Sequence, residues 1–231
     1  MNSFHRIFYT LVAMTGVASL FAQPAQDWAN FRRYQADNEA VKALPHNKRK
    51  VVFIGNSITD NWVKRHGEFF SQNGYVGRGI SGQTTYQMVL RFYDDVVDLH
   101  PKAVVINGGT NDIAFNNHPY VEERTFRNIT LMAQIARENG IQVILTSVTP
   151  CDHYTWRPQV TDVVQKISSL NARIKAYARK NKFQYVDYFT AMADEKGAMR
   201  DGLSDEGCHP TVAGYAIMEP LVQAAIKKVA K

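Results

Sequence analysis

Ser57 lies in the run Val51-Val52-Phe53-Ile54-Gly55-Asn56-Ser57-Ile58-Thr59, where an apolar, β-branched stretch breaks at a glycine and Asp60-Asn61-Trp62 can begin a helix. A serine between a strand and a helix presents its hydroxyl beyond the strand's end. It also sits beside the positive end of the helix, which suits a nucleophile that must stabilise an oxyanion as it attacks. Taken alone, the ordinary reading of this position is a helix N-cap. A serine hydroxyl is a poor nucleophile until an imidazole takes its proton, and that imidazole needs a carboxylate on its other nitrogen. Ser204-Asp205-Glu206-Gly207-Cys208-His209-Pro210 offers both, with His209 as the base and Asp205 and Glu206 as candidate acids. Among the other histidines only His153, which also follows a strand-like run and has Asp152 beside it, competes for the role.

Oxyanion donors are expected on two further loops. Gly79-Ile80-Ser81-Gly82-Gln83-Thr84-Thr85 has glycines that allow close backbone approach and places the Gly82 N–H as a candidate donor. Gly108-Gly109-Thr110-Asn111-Asp112 offers the side-chain amide of Asn111. Each loop has a plain alternative, a turn at Ser81-Gly82 and a helix cap at Asn111-Asp112.

These loops need a scaffold that gathers them. Short apolar runs at Val51–Ile54, Tyr75–Ile80, Ala103–Ile106, Gln142–Val148 and Gln184–Tyr188 read as about five strands. Helical patterns at Thr84–Leu99, Tyr120–Asn139, Val164–Asn181 and Val212–Val229 separate and follow them, and a leading helix is expected within Asp27–Leu44. Strands alternating with helices predict an α/β fold whose parallel sheet is covered on both faces. Such sheets bind ligands beyond the carboxyl ends of their strands, where Ser57, Gly82 and Asn111 fall.

With those residues in place, the chain resembles the GDSL, or SGNH, hydrolase family, and within it the platelet-activating-factor acetylhydrolase-like branch of small exported esterases. Gly55-Asn56-Ser57-Ile58-Thr59, Gly82, Gly109-Thr110-Asn111-Asp112 and His209-Pro210 match its motifs in order along the chain. The resemblance implies a flavodoxin-like three-layer α/β/α sandwich with a five-stranded parallel sheet. It implies Ser57 as nucleophile, an oxyanion hole of Ser57, Gly82 and Asn111, and neither metal nor organic cofactor. The family usually has Asp where this chain has Asn56, and its triad acid stands three residues before the histidine. That spacing favours Glu206, with Asp205 as the alternative.

Composition bounds the rest. A chain of 231 residues, 45% hydrophobic, suffices for one catalytic domain. His5 and Arg6, the uncharged apolar run Ile7–Phe21 and small residues around Ala22 read as a signal peptide over residues 1–22, leaving residues 23–231 as the hydrolase domain and predicting export. That run falls short of the ~20 apolar residues of a membrane span, so no stable span is expected once it is removed. A net charge of +6 from scattered basic residues argues against nucleic-acid binding. Export, and the expected proximity of their two loops, permit a disulfide between Cys151 and Cys208, with two reduced cysteines packed as small apolar groups as the alternative.

The expected activity is therefore a serine ester hydrolase that removes small acyl groups, acetyl foremost, from a small substrate such as a carbohydrate ester. Tyr154, Trp156 and Arg157, after the fourth strand, are candidate substrate contacts. A short-chain lipid or phospholipid esterase and an acyltransferase remain alternatives. A non-catalytic carbohydrate-binding module sits poorly with Ser57, Gly82, Asn111 and His209 together.

Overall fold

The computed structural model describes residues 26–230; the signal-peptide expectation for residues 1–22 lies outside them. Five strands form one wholly parallel sheet: β1 (Val51–Gly55), β2 (Tyr75–Gly79), β3 (Ala103–Ile106), β4 (Gln142–Thr146) and β5 (Gln184–Val186), in the order β2-β1-β3-β4-β5. Among the described residues the α-helices are α1 (Gln35–Lys42), α2 (Ser57–Arg65), α3 (Gly67–Asn73), α4 (Thr85–Leu90), α5 (Phe92–Asp95), α6 (Thr110–Ile113), α7 (Glu122–Glu138), α8 (Val163–Asn181), α9 (Tyr188–Met192) and α10 (Val212–Val229).

Alternation of side chains along buried strands divides the core into two halves. Val52, Ile54, Val104, Ile106, Val143 and Leu145 face one side, where they pack with Met88 of α4, Phe92 of α5, Met132 of α7 and Ile167 and Leu170 of α8. Val51, Phe53, Ala103, Val105 and Ile144 face the other, against Trp62 of α2, Phe70 of α3 and Tyr215 and Met218 of α10. Phe53 meets the rings of Trp62 and Phe70 at 5.7 and 5.2 Å, both edge to face, contacts worth about 0.5–1.5 kcal/mol each beyond the area they bury. The result is the expected three-layer sandwich. Its strand order reverses direction between β1 and β3, which opens a crevice at their carboxyl ends.

Two expected helices differ in detail. The leading segment is a 3₁₀ turn over Phe31–Arg33 followed by α1, because Asn30 adopts a left-handed conformation and the Asp27 carboxylate accepts the N–H groups of Phe31 and Arg32. The long pattern Thr84–Leu99 divides into α4, α5 and a 3₁₀ turn at Val97–Leu99, with the first break at Arg91. The Arg91 side chain is wholly buried and bonded to groups outside the helix.

Candidate functional site

The strand β1 delivers the chain to Asn56, and Asn56 caps α2: its Oδ1 accepts the Ile58 N–H at 3.0 Å. The cap is thus supplied by the residue before Ser57, and the Ser57 hydroxyl is left for another partner. That partner is His209, with Oγ and Nε2 2.8 Å apart. The Asn56 side chain does the local work that an aspartate can also do, since the cap needs only one oxygen acceptor.

His209 arrives on the loop before α10. Thr211 caps that helix by accepting the Gly214 N–H, and the Tyr215 hydroxyl donates to the Ile58 carbonyl at 2.7 Å. The helix after His209 is thereby pinned to the helix that begins at Ser57. On the other side of the ring, Glu206 Oε1 lies 2.5 Å from Nδ1 and also accepts the His209 backbone N–H at 2.6 Å. Asp205, the alternative acid, points away: its side chain is 75% exposed and its nearest ionic partner is Arg65 at 4.0 Å. His153 pairs with Asp152 on the exposed surface and packs against Gly207, not against Ser57.

The loop after β2 comes against the start of α2. A side chain at Gly79 would place its Cβ 2.2 Å from the Asp60 backbone nitrogen, so glycine is required for that approach. Ser81 Oγ then donates to Asp60 Oδ2 at 2.7 Å, fastening the loop to α2. Gly82 follows with φ of +81°, a backbone conformation that disfavours other residues although space for a side chain is open. Among the described residues neither the Ser57 nor the Gly82 N–H has a hydrogen-bond acceptor. Asn111 Nδ2 donates to the Gln83 carbonyl at 2.9 Å, and an amide nitrogen has two hydrogens, so one stays free. Asp112, next to it, is fully buried and accepts the Thr85 N–H and hydroxyl at 2.9 and 2.6 Å, joining α6 to α4. Burial pushes its carboxyl above its ordinary value, against the Thr85 hydrogen bonds.

Three expectations for the loop after β4 resolve differently. Trp156 is half-buried beside the site, with its ring 5.4 Å from that of His209, and its Nε1 donates to Asn116 Oδ1 at 3.1 Å. Arg157 is partly buried and reaches the Asn116 carbonyl at 3.5 Å. Tyr154 is a correction: it is wholly buried in the core, with its ring 5.0 Å from Trp156, so it carries the loop and offers no face to a ligand. Of the two readings for the cysteines, the structure has the reduced pair and not the disulfide. Both cysteines are free and buried; the Cys151 thiol donates to the His153 carbonyl at 2.8 Å. The Cys208 thiol is held well above its ordinary value by its hydrogen bond with Cys151 and by burial, so it packs as a protonated thiol.

Asn116 carried no signal in the sequence, yet it connects the site. Its backbone N–H donates to the Asn111 carbonyl at 3.0 Å, its Nδ2 to the Gly82 carbonyl at 3.1 Å, and its Oδ1 receives Trp156. Asp60, read beforehand only as the start of a helix, fastens Ser81. Among the described residues no group of three or more His, Cys, Asp or Glu side chains is disposed to hold a metal ion.

A serine hydroxyl bonded to an imidazole that a carboxylate holds, at the carboxyl end of a doubly wound sheet, is an arrangement that acyl-transferring hydrolases use. Residues 53–217 match the GDSL-like lipase/acylhydrolase family, and the chain belongs to that family of ester hydrolases. It is similar to a GDSL-like lipase from Bacteroides thetaiotaomicron VPI-5482, at 50% identity and a TM-score of 0.84 over 87% of this chain and 98% of that one. An acetylxylan esterase from Geobacillus stearothermophilus shares the fold, with a TM-score of 0.60 at 21% identity over 77% of this chain and 93% of that one. The lipoprotein YqeF of Bacillus subtilis (strain 168) is 41% identical over 75 residues, a match spanning 31% of either chain. Among the described residues no helix is long and apolar enough to cross a membrane.

Proposed function

We propose that this acylhydrolase removes short acyl groups, acetyl foremost, from carbohydrate esters outside the cytoplasm. Ser57 acts as nucleophile, His209 as general base and acid, and Glu206 as the triad acid. The observation that carries the catalytic reading is the continuous chain Ser57 Oγ to His209 Nε2 at 2.8 Å and His209 Nδ1 to Glu206 Oε1 at 2.5 Å. As Oγ attacks the ester carbonyl, its proton passes to Nε2 and the carbonyl electron pair moves onto oxygen, where the Ser57 and Gly82 N–H groups and the free Asn111 hydrogen receive it. Collapse of the adduct expels the sugar oxygen, which takes the proton from Nε2. A water molecule then repeats the sequence on the acetyl-serine, giving acetate and free enzyme.

The Asn111 donor acts on charge that exists only in the transition state. Asn111→Ala is therefore expected to lower kcat by about 10²–10³ and to leave KM much less affected. Steady-state kinetics on p-nitrophenyl acetate measure this, and an effect confined to KM would contradict the role.

Trp156 supports the carbohydrate reading, because it is an indole held by Asn116 next to the reacting imidazole. An aromatic face there can stack on a sugar ring. Export is supported by the charged and then apolar first residues and by the lipoprotein among the relatives. The test is acetate release from acetylated xylo-oligosaccharides, compared with p-nitrophenyl acetate and a short-chain phospholipid. Trp156→Ala is expected to lower kcat/KM on the oligosaccharide by about three- to tenfold, the worth of one aromatic contact, and to leave p-nitrophenyl acetate nearly unchanged. Equal losses on both would mean that Trp156 only packs the loop. Preferential turnover of the phospholipid would overturn the carbohydrate assignment.

A further inference from the structure

We propose that Gln83 and Arg91 are positioning residues for the oxyanion hole, a buried strut that fixes the Gly82 loop and the Asn111 amide relative to the turn carrying Ser57. The proposal rests on the catalytic reading above and extends it to residues that touch no substrate.

Arg91 has no exposed surface, and each of its three side-chain nitrogens finds an acceptor. Its Nη2 donates to the carbonyl of Gly55, the last residue of β1 and two positions before Ser57, at 2.9 Å. Its Nη1 donates to the Arg78 carbonyl of β2 at 2.9 Å and to Asp95 Oδ2 at 2.7 Å. Its Nε donates to Gln83 Oε1 at 2.6 Å. Gln83 is itself buried; its Nε2 donates to the Ala29 carbonyl at 2.7 Å, and its own carbonyl receives Asn111 Nδ2 at 2.9 Å. One guanidinium thus grips the ends of the two strands that deliver Ser57 and Gly82 and, through Gln83, the peptide that orients Asn111.

Burying a guanidinium is costly, and an apolar side chain of similar size often stabilises a core as well or better. Pairing with Asp95 offsets part of that cost, but stability alone does not account for a buried arginine whose other acceptors are two strand-end carbonyls and the side chain that follows Gly82. What the fork supplies is direction. Its planar donors hold several acceptors in one fixed relation, as fixed oxyanion donors require in order to avoid reorganisation during the reaction. A displacement of about 1 Å at such a site can cost about 10²-fold in rate.

Gln83→Met removes both side-chain tethers, keeps a similar length, and leaves the carbonyl that receives Asn111. It is expected to lower kcat on p-nitrophenyl acetate by about 10- to 100-fold with KM changed by less than about threefold. If the strut acts through the oxyanion donors, the same substitution in an Asn111→Ala background should cost proportionately less than it does in the wild type, because one of the two donors it positions is already gone. Should Gln83→Met fail to fold, Arg91→Lys, which retains the pairing with Asp95, is carried through the same cycle. An unchanged kcat in a folded variant, or equal proportional losses in both backgrounds, would overturn the proposal. A wild-type enzyme silenced by Ser57→Ala and slowed by Asn111→Ala, yet indifferent to Gln83→Met, would overturn the strut alone. Activity that survived Ser57→Ala would overturn both readings.

Discussion

Ser57→Ala is expected to abolish hydrolysis of short acyl esters, with a loss on the order of 10⁶ in turnover. The size follows from the proposed triad, since in such hydrolases serine, imidazole and carboxylate act as a unit. Without Oγ there is no atom to attack the carbonyl, and the oxyanion donors and binding contacts that remain give only a small residual rate over water. The substitution should leave the fold nearly untouched. Ser57 is the first residue of α2, alanine is a strong helix former, and the helix cap belongs to Asn56. The Tyr215 hydroxyl still meets the Ile58 carbonyl, so α10 and the His209 loop keep their anchor. Turnover on p-nitrophenyl acetate, read beside circular dichroism and the melting temperature, decides the matter. Retention of a tenth of the activity in a folded variant would remove Ser57 as the nucleophile.

The residues that were legible beforehand are those whose chemistry coincides with a break in periodicity. Ser57 falls where an apolar run ends at a glycine, and His209 stands with two acids just before a proline and a helical pattern. Strand positions were legible for the same reason. The run Ala103–Ile106 is continuous and β-branched because both faces of β3 are covered, and its predicted bounds match the observed strand. Helix 212–229 likewise starts and stops where its signals say, at a threonine cap and in a lysine-bearing last turn.

What stayed hidden depends on contacts between segments distant in sequence. Asn116 has no distinguishing spacing; its place among Asn111, Gly82 and Trp156 appears only when the loops after β2, β3 and β4 converge. Arg91 falls within the helical pattern Thr84–Leu99, which carries no sign that its side chain turns inward to strand-end carbonyls or that the helix breaks there. Tyr154 and Trp156 are alike as residue types and stand two positions apart, yet one lies inside the core and the other at the rim. No periodicity applies in an irregular loop to separate them. The cysteines illustrate a related limit. Sequence order put their loops at one end of the sheet, but whether neighbouring thiols are joined depends on distances and redox conditions that order does not contain.

Glu206→Gln is expected to cost turnover on the order of 10⁴, while Asp205→Asn should stay within about a few-fold of the wild-type rate. Glu206 Oε1 accepts both the His209 backbone N–H and the imidazole Nδ1. The first bond sets the loop, and the second fixes the tautomer that leaves Nε2 able to take the Ser57 proton. Glutamine keeps an oxygen for the backbone N–H, so the loop should hold its shape and the melting temperature should change little. It lacks the charge that stabilises the imidazolium formed during attack, and an amide that turns its NH₂ toward Nδ1 favours the wrong tautomer. Asp205 has neither contact. Its carboxylate is mostly in solvent and its pairing with Arg65 at 4.0 Å is an exposed ion pair of small worth, so removing its charge leaves the imidazole where it is. The two variants share a loop and lose the same unit of charge. A difference of orders of magnitude between their kcat values on p-nitrophenyl acetate therefore reports contact with His209, not the electrostatics of the surface. The reverse ranking would assign the acid to Asp205 and require the loop to rearrange in solution.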